Sequence, residues 1–343
     1  MNKNIALMSS LVFTVSVNAH AATTLYVGGS GGSTENIFKE KIIPPFEAKT
    51  GAKVVYVPGN STDILAKLQA QKGQQELSVA MIDDGPMYQA VNQGLCVDIE
   101  ANPELENLYP GARMPGGKSL GVGYIAVGLA YNKAVFAKNG WAAPTSWHDL
   151  ENPKYEQKVV IPPVTNGYGL LTLLMMAKLN GGGETNIEPG FSVMTKKVGP
   201  NVLAWEPSPG KMAQMLQTGE AALAVWGNGR VQTVIAQGAP VEFVYPKEGA
   251  VAMLTAGCPV AGAPEPDLAQ QFLRHVTSAE SQKILAEDNS WGPVNQNSKL
   301  SPEVAARVVY GPEKVNALIA PDYNVINAKR SEWTTRWTRA VEQ

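Results

Sequence analysis

Gly28-Gly29-Ser30-Gly31-Gly32-Ser33-Thr34 lies between a strand pattern and a helix pattern, and its composition suits anion binding. Glycine lets backbone N–H groups come close to a ligand, and a helix N-terminus attracts negative charge. Ser30, Ser33 and Thr34 add hydroxyls, so a carboxylate or phosphonate could sit here; an ordinary tight strand-to-helix turn would use the same residues. Gly28, Ser30 and Gly32 also spell G-x-S-x-G, the turn that exposes a nucleophilic serine in one class of hydrolase. That chemistry needs a base, and beyond residue 21 only His148 and His275 offer an imidazole. His275 falls on an amphipathic helix pattern that explains it by packing. An exported serine hydrolase therefore stays an alternative, and a non-enzymatic binding role is the main expectation.

Asp83-Asp84-Gly85 ends an apolar strand pattern, the position where open α/β sheets put ligand contacts. Either carboxylate could hold an ammonium group through charge-assisted bonds, or one could cap the next helix. Two adjacent carboxylates do not make a metal site, and neither metal nor cofactor is expected. Thr165-Asn166-Gly167-Tyr168 opens an apolar helix, offering amides and an aromatic wall. In Trp226-Gly227-Asn228-Gly229-Arg230, Trp226 presents a cation-friendly face and Arg230 could grip a carboxylate bidentately or be a solvated helix residue. Trp291 is another candidate wall, or hinge packing.

The elements that must position these residues alternate. Strand patterns at 24–27, 53–57 and 77–82 alternate with helix patterns at 36–49, 61–71 and 86–92, where Pro44-Pro45 could kink the first helix and residues 61–63 could cap the second. That order implies a parallel sheet covered on both faces. A long extended stretch at 121–131 follows. A second unit then reads as a short helix at 147–150, a strand at 159–161, helices at 168–179 and 211–217, a strand at 221–225, a helix at 230–237 and a strand at 242–245. Residues 253–260 are extended again, 267–276 and 281–287 are amphipathic helices, and 325–339 is a terminal helix with Trp333 and Trp337 on one face. Two α/β units joined by extended crossings leave a cleft suited to a small ligand.

Composition is that of a folded globular chain, 44% hydrophobic and 17% charged. A net charge of -2 gives no electrostatic case for nucleic acid. Lys3, the apolar run 5–17 and Ala19-His20-Ala21 form a secretory signal peptide expected to be cut after Ala21, with an uncleaved anchor as the alternative. No cysteine stands immediately after the cut, so no lipid anchor is expected, and no later apolar run is long enough to span a bilayer. In an exported chain, Cys96 and Cys258 read as a disulfide or as two separately buried thiols; sequence leaves both open.

The segments "FEAKTGAKVVY", "STDILAKLQAQ", "YNKAVFAKNGWAAPTSWHDLENPKYEQKVVIP", "GEAALAVWGNGR", "APVEFVYPKEGAV" and "SWGPVN", in this order, resemble the periplasmic solute-binding proteins of ABC importers, in the branch of polyamine and ferric-ion binders. "SWHDLENPKYEQKV" is similar to that family's "SWxDLxxPxYxGKV". The resemblance covers nearly the whole exported chain. It implies a type II, two-lobed α/β fold, each lobe a mostly parallel sheet flanked by helices, with residues 22–127 plus 251–300 as lobe one. Lobe two would be 128–250, and 301–343 would pack across the pair. It further implies a periplasmic monomer that traps a small solute by hinge closure and hands it to an inner-membrane ABC permease; a receptor that only signals would use the same surface. By the same resemblance, Trp226 lines the cleft. The segment 165–168 and Thr255 stand where polyamine binders carry acids, which argues against a bare polycation. With the amides of Gly31 and the loop around it, the inventory suits a zwitterion or organic anion such as an amino acid analogue, aminophosphonate or carboxylate. A strict spermidine or putrescine receptor is the runner-up.

Overall fold

The computed structural model describes residues 23–342; the signal-peptide reading at 1–21 lies outside the described residues. Nine strands form one continuous sheet: β1 (Thr24–Gly29), β2 (Lys53–Pro58), β3 (Val79–Asp83), β4 (Leu120–Asn132), β5 (Val159–Ile161), β6 (Val202–Trp205), β7 (Leu223–Gly227), β8 (Val241–Val244) and β9 (Val251–Pro259). The spatial order is β2-β1-β3-β9-β4-β7-β5-β6, with β8 also on β4. β2, β1 and β3 are parallel, as are β6, β5 and β7. Each trio then meets an antiparallel crossing strand, giving β2-β1-β3-β9-β4 in one unit and β6-β5-β7-β4-β8 in the other. The same five-strand order occurs twice, and β4 takes part in both.

The first helical run shows how sequence chemistry shapes an element. It continues from Ser33–Ile37 through a wide π turn, Phe38–Ile42, into Ile43–Thr50. Pro44 and Pro45 have no N–H to return to the preceding turn. The helix widens just before them, with the Ile43 N–H reaching back to the Phe38 carbonyl. So the two prolines displace the helix rather than break it. Gln157 stands where the quoted signature has glycine and holds φ 52°. Its Nε2 donates to the Pro200 and Val202 carbonyls at 3.2 and 3.0 Å, which offsets the strain of the left-handed backbone.

Some expectations need correction. Asn60, not residues 61–63, caps the helix Ser61–Ala70, its Oδ1 accepting the Asp63 N–H at 3.0 Å. β6, the helix Lys133–Asn139 and the helical run Glu188–Val193 with Met194–Val198 were not read from the sequence.

The terminal helix Tyr323–Ala340 buries Tyr323, Ile326, Trp333 and Trp337 in the core of the second unit. Trp337 meets Trp205 edge-on at 4.9 Å, and Arg336 grips both carboxylate oxygens of Glu188. Trp291 packs across Gly123 of β4, where a Cβ would sit 2.6 Å from the indole.

Cys96 and Cys258 form a disulfide with Cα atoms 5.8 Å apart, so the thiol alternative is set aside. The bond staples the segment after the helix Asp84–Asn92 to the end of β9, inside a buried apolar cluster. Closing a loop of sequence separation 162 restricts the unfolded chain. Replacing both cysteines with serine should lower unfolding stability by about 2–5 kcal/mol, read from urea denaturation of variant and oxidised wild type side by side.

Candidate functional site

Charged and hydroxyl side chains from both units and from the terminal helix converge at the end of β3. β3 pairs antiparallel with β9 so that Asp83 lies opposite Thr255, which is buried. The Asp83 N–H donates to Ser61 Oγ at 3.0 Å, so the helix that follows β2 starts against the end of β3. Ser61 is free to accept because Asn60 does the capping.

The two adjacent carboxylates have different jobs. Asp84 is 4% exposed and is a structural tie. Its Oδ1 accepts from the Gly85 N–H at 2.9 Å, its Oδ2 from the Leu254 N–H of β9 at 3.0 Å, and the Tyr323 hydroxyl bonds it from the terminal helix. Burial pushes its pKa up to about 7 against the pull of the Leu254 amide, and the neighbouring Asp83 charge adds to the rise. Asp83 carries its carboxylate beside Ser61, Arg230 and Arg330. Burial raises its pKa too, while Ser61 and the guanidinium charges of Arg230 and Arg330 pull it down.

Tyr168 and Arg230 come from the second unit. Asn166 Oδ1 accepts the Tyr168 N–H at 2.9 Å and so caps the helix Gly167–Leu179. Tyr168 lies against Gly227 at the end of β7, where a Cβ would be 2.7 Å from its hydroxyl. Arg230 stands in the first turns of the helix Asn228–Ala236 and bonds the Tyr168 hydroxyl. Burial pushes that phenol up to about 12, and Arg230 opposes the shift. Arg330, from the terminal helix, donates to the Thr165 carbonyl at 3.1 Å; burial lowers its pKa while Tyr323, Asp83 and Asp84 hold it up.

Asp83, Asp84, Thr165, Asn166, Tyr168, Arg230 and Thr255 are thus brought together, with the Asn166 side chain and the Thr165 carbonyl already engaged. The other candidates have further contacts, and the apolar cluster that holds Trp226 also packs against Tyr168. The Ser30 carbonyl accepts from the Tyr56 hydroxyl at 2.9 Å, Gly31 and Ser33 are exposed, and Thr34 Oγ1 accepts from Asn289 Nδ2 at 3.1 Å. Trp226 is 2% exposed and packs among Met212, Met215, Val231 and Val234. Trp291 is buried on Gly123. His148 Nδ1 pairs with Glu151 at 2.6 Å, and His275 Nε2 meets the Ile42 carbonyl at 2.7 Å, so each imidazole has a partner other than the Ser30 hydroxyl. Ser61, Tyr323 and Arg330 are members of this cluster that sequence reading missed.

A family profile for bacterial extracellular solute-binding proteins matches residues 41–310. The chain belongs to that family. A gamma-aminobutyric acid-binding protein of Pseudomonas aeruginosa is 22% identical over 84% of this chain and 81% of its own length. A spermidine/putrescine-binding periplasmic protein of Salmonella typhimurium is 25% identical over 85% of this chain and 82% of its own. The crystal structure of an ABC transporter from Clostridium perfringens superposes with a TM-score of 0.80 at 23% identity, covering 92% of this chain and 99% of the other. The fold is the two-lobed one of periplasmic binding proteins, and the family is one of solute-binding proteins. Among the described residues no helix is long and apolar enough to cross a membrane.

Asp84 makes the site pH-sensitive. A carboxyl whose folded pKa lies above its unfolded value holds its proton more tightly in the native state. Stability is therefore fullest near the unfolded pKa of 3.8 and is lost as pH rises towards the folded value of about 7. Asp84→Asn removes this titration at a cost in lost acceptor bonds. The stability difference between wild type and variant should shrink between pH 4 and 7.5, by about 4 kcal/mol at most, as measured by urea denaturation across that range.

Proposed function

We propose that this protein captures a small zwitterion or organic anion, with an amino acid analogue as the first choice. The observation that carries the reading is the facing of Asp83, from the first unit, by Tyr168 and Arg230, from the second. A ligand carrying one ammonium and one acidic group would satisfy both sides, Asp83 taking the ammonium and Arg230 the carboxylate or phosphonate, with the Tyr168 ring and hydroxyl alongside. The relative named for gamma-aminobutyric acid, itself a zwitterion, supports this class.

Capture is by hinge closure. The lobes are residues 22–127 plus 251–300 and residues 128–250, with 301–343 across them. The register supports that division: β4 runs alongside β9 as far as the Val127–Val251 pair, and from Val127 onward it pairs with β7. Closure around a ligand needs differential affinity for the closed state. The closed protein is a periplasmic monomer, freed of residues 1–21, that delivers its solute to an inner-membrane permease, and it has no catalytic step.

The relative named for spermidine and putrescine favours a second reading, a polyamine receptor. Against it, Asp84 is committed to backbone amides and Asp83 is opposed by two guanidinium groups. Calorimetry against gamma-aminobutyrate, other amino acids, dicarboxylates, aminophosphonates, putrescine and spermidine separates the two. A zwitterion or anion should bind, and Asp83→Asn and Arg230→Gln should each weaken it about 10- to 100-fold, the worth of one charged hydrogen bond. Binding of spermidine with silence from every zwitterion and anion would install the polyamine reading. A fluorophosphonate should leave Ser30 unlabelled; labelling would establish the hydrolase.

A further inference from the structure

We propose that Arg330 of the terminal helix is a selectivity residue: its fixed positive charge beside Asp83 and Asp84 turns diamines away from the cleft. The inference rests on the cleft described above and deepens it by naming what the site rejects.

The guanidinium is placed by two contacts. One Nη donates to the Thr165 carbonyl at 3.1 Å, at the entrance to the helix that carries Tyr168. The other Nη lies over Gly85, where a Cβ would come within 3.4 Å of it and within 3.1 Å of the Tyr323 ring. Glycine at that position lets the Asp84-Gly85 backbone lie flat against Arg330 and Tyr323. The helix is fixed at the same level, because Asn327 Nδ2 donates to the Gly85 carbonyl at 2.9 Å. Arg330 therefore cannot swing away without loosening contacts to the end of β3 and the start of the Tyr168 helix.

Its charge acts on both carboxylates. With Arg230 on the far side, the cluster holds two acids and two permanent cations, and one of the acids is already bound to amides. A zwitterion adds no net charge to this balance and gives Arg230 a partner. A diamine adds two positive charges, gives neither arginine an acceptor, and must be desolvated to enter. Specificity of this kind comes from a repulsive element set against the wrong ligand as much as from attraction to the right one. Arg330 acts through the charge of the Asp83 corner, so it is a positioning residue rather than a primary ligand contact.

The test is calorimetric titration of wild type, Arg330→Gln, Arg330→Met and Arg330→Lys with putrescine and gamma-aminobutyrate, each variant first checked by thermal melting. Met keeps an unbranched apolar stem of similar length, so it preserves packing if Gln does not. The two neutral variants should gain putrescine affinity relative to gamma-aminobutyrate by about tenfold or more, the effect of removing one nearby charge. Lys should stay within about threefold of the wild-type ratio. Equal shifts for both ligands in the neutral variants, or putrescine binding as weak as in wild type, would overturn the proposal. So would a Lys variant that behaves like Gln. If wild type binds no zwitterion or anion at all, the functional reading has failed, while the gain or absence of putrescine binding in the neutral variants still decides the role of Arg330.

Discussion

The antiparallel pairing of β4 with β9 is the constraint on which the molecule depends. β4 is too long to belong to one unit: its first part pairs with β9 and its last part with β7 and β8. β8 and β9 lie on the same edge of β4, Val244 opposite Leu129 and Val251 opposite Val127, so they act as one strand interrupted by residues 245–250. That excursion is tied down. Glu248 accepts from Ser146 Oγ at 2.5 Å and from the Trp147 N–H at 3.2 Å, and the Trp147 indole N–H donates to the Gly249 carbonyl at 2.9 Å. The two segments "SWHDLENP" and "PKEG" are thus halves of one contact. They seat the crossing strand in the second unit, and Gly123 and Gly128 let Trp291 and Phe243 close over β4 on either side of the junction.

Given that crossing, the electrostatics of the cleft follow from where the strands stop. β3 ends against β9, so a carboxylate just past its end can reach a free amide of β9, and Asp84 does so at Leu254. A buried carboxylate is tolerable only with such donors. Asp83, the last residue of β3, meets Ser61 and Arg230, and the charge of Arg330 lies near both carboxylates. Two chemically identical neighbours thus differ in their partners, one tied to backbone amides and the other set between guanidinium groups.

Local pattern was enough for most of the fold. β1, β2, β3, β5 and the helices between them carry the periodicities and breakers that define such elements, and the doubled strand–helix alternation was legible because each unit repeats it. β6 was missed because four residues on a sheet edge show no period. The site was half legible. Asp83, Tyr168 and Arg230 occupy strand ends and helix starts, positions that α/β topology favours for ligand contact. Arg330 and Tyr323 lie on the same face of the terminal helix as Ile326, Trp333 and Trp337, and nothing local says that the first turns of this face return to the end of β3. Trp226 illustrates the converse: a tryptophan at a strand end is equally compatible with a cleft wall and with core, and its neighbours Met212 and Met215 come from a helix that only the tertiary fold brings near.

The terminal helix has a double allegiance with mechanical consequences for the proposed closure. Trp333 and Trp337 bury it in the second unit, and Arg336 stacks over Phe191 there. Its first turns reach the other unit: Tyr323 bonds Asp84 and meets Tyr88 ring to ring at 5.7 Å, and Asn327 bonds Gly85. If the units part about Val127 and Val251, the helix stays with the second, and these first-turn contacts are the ones that must break. One neutral hydrogen bond is worth about 1 kcal/mol and one to a charged group about 1.5–3 kcal/mol, so the clasp amounts to a few kcal/mol. Driving a two-state clamp from almost entirely open to almost entirely closed takes about 5.5 kcal/mol of differential binding. A clasp of that size is large enough to share the work with the ligand, yet smaller than the whole shift, so the solute remains the deciding contribution to closure.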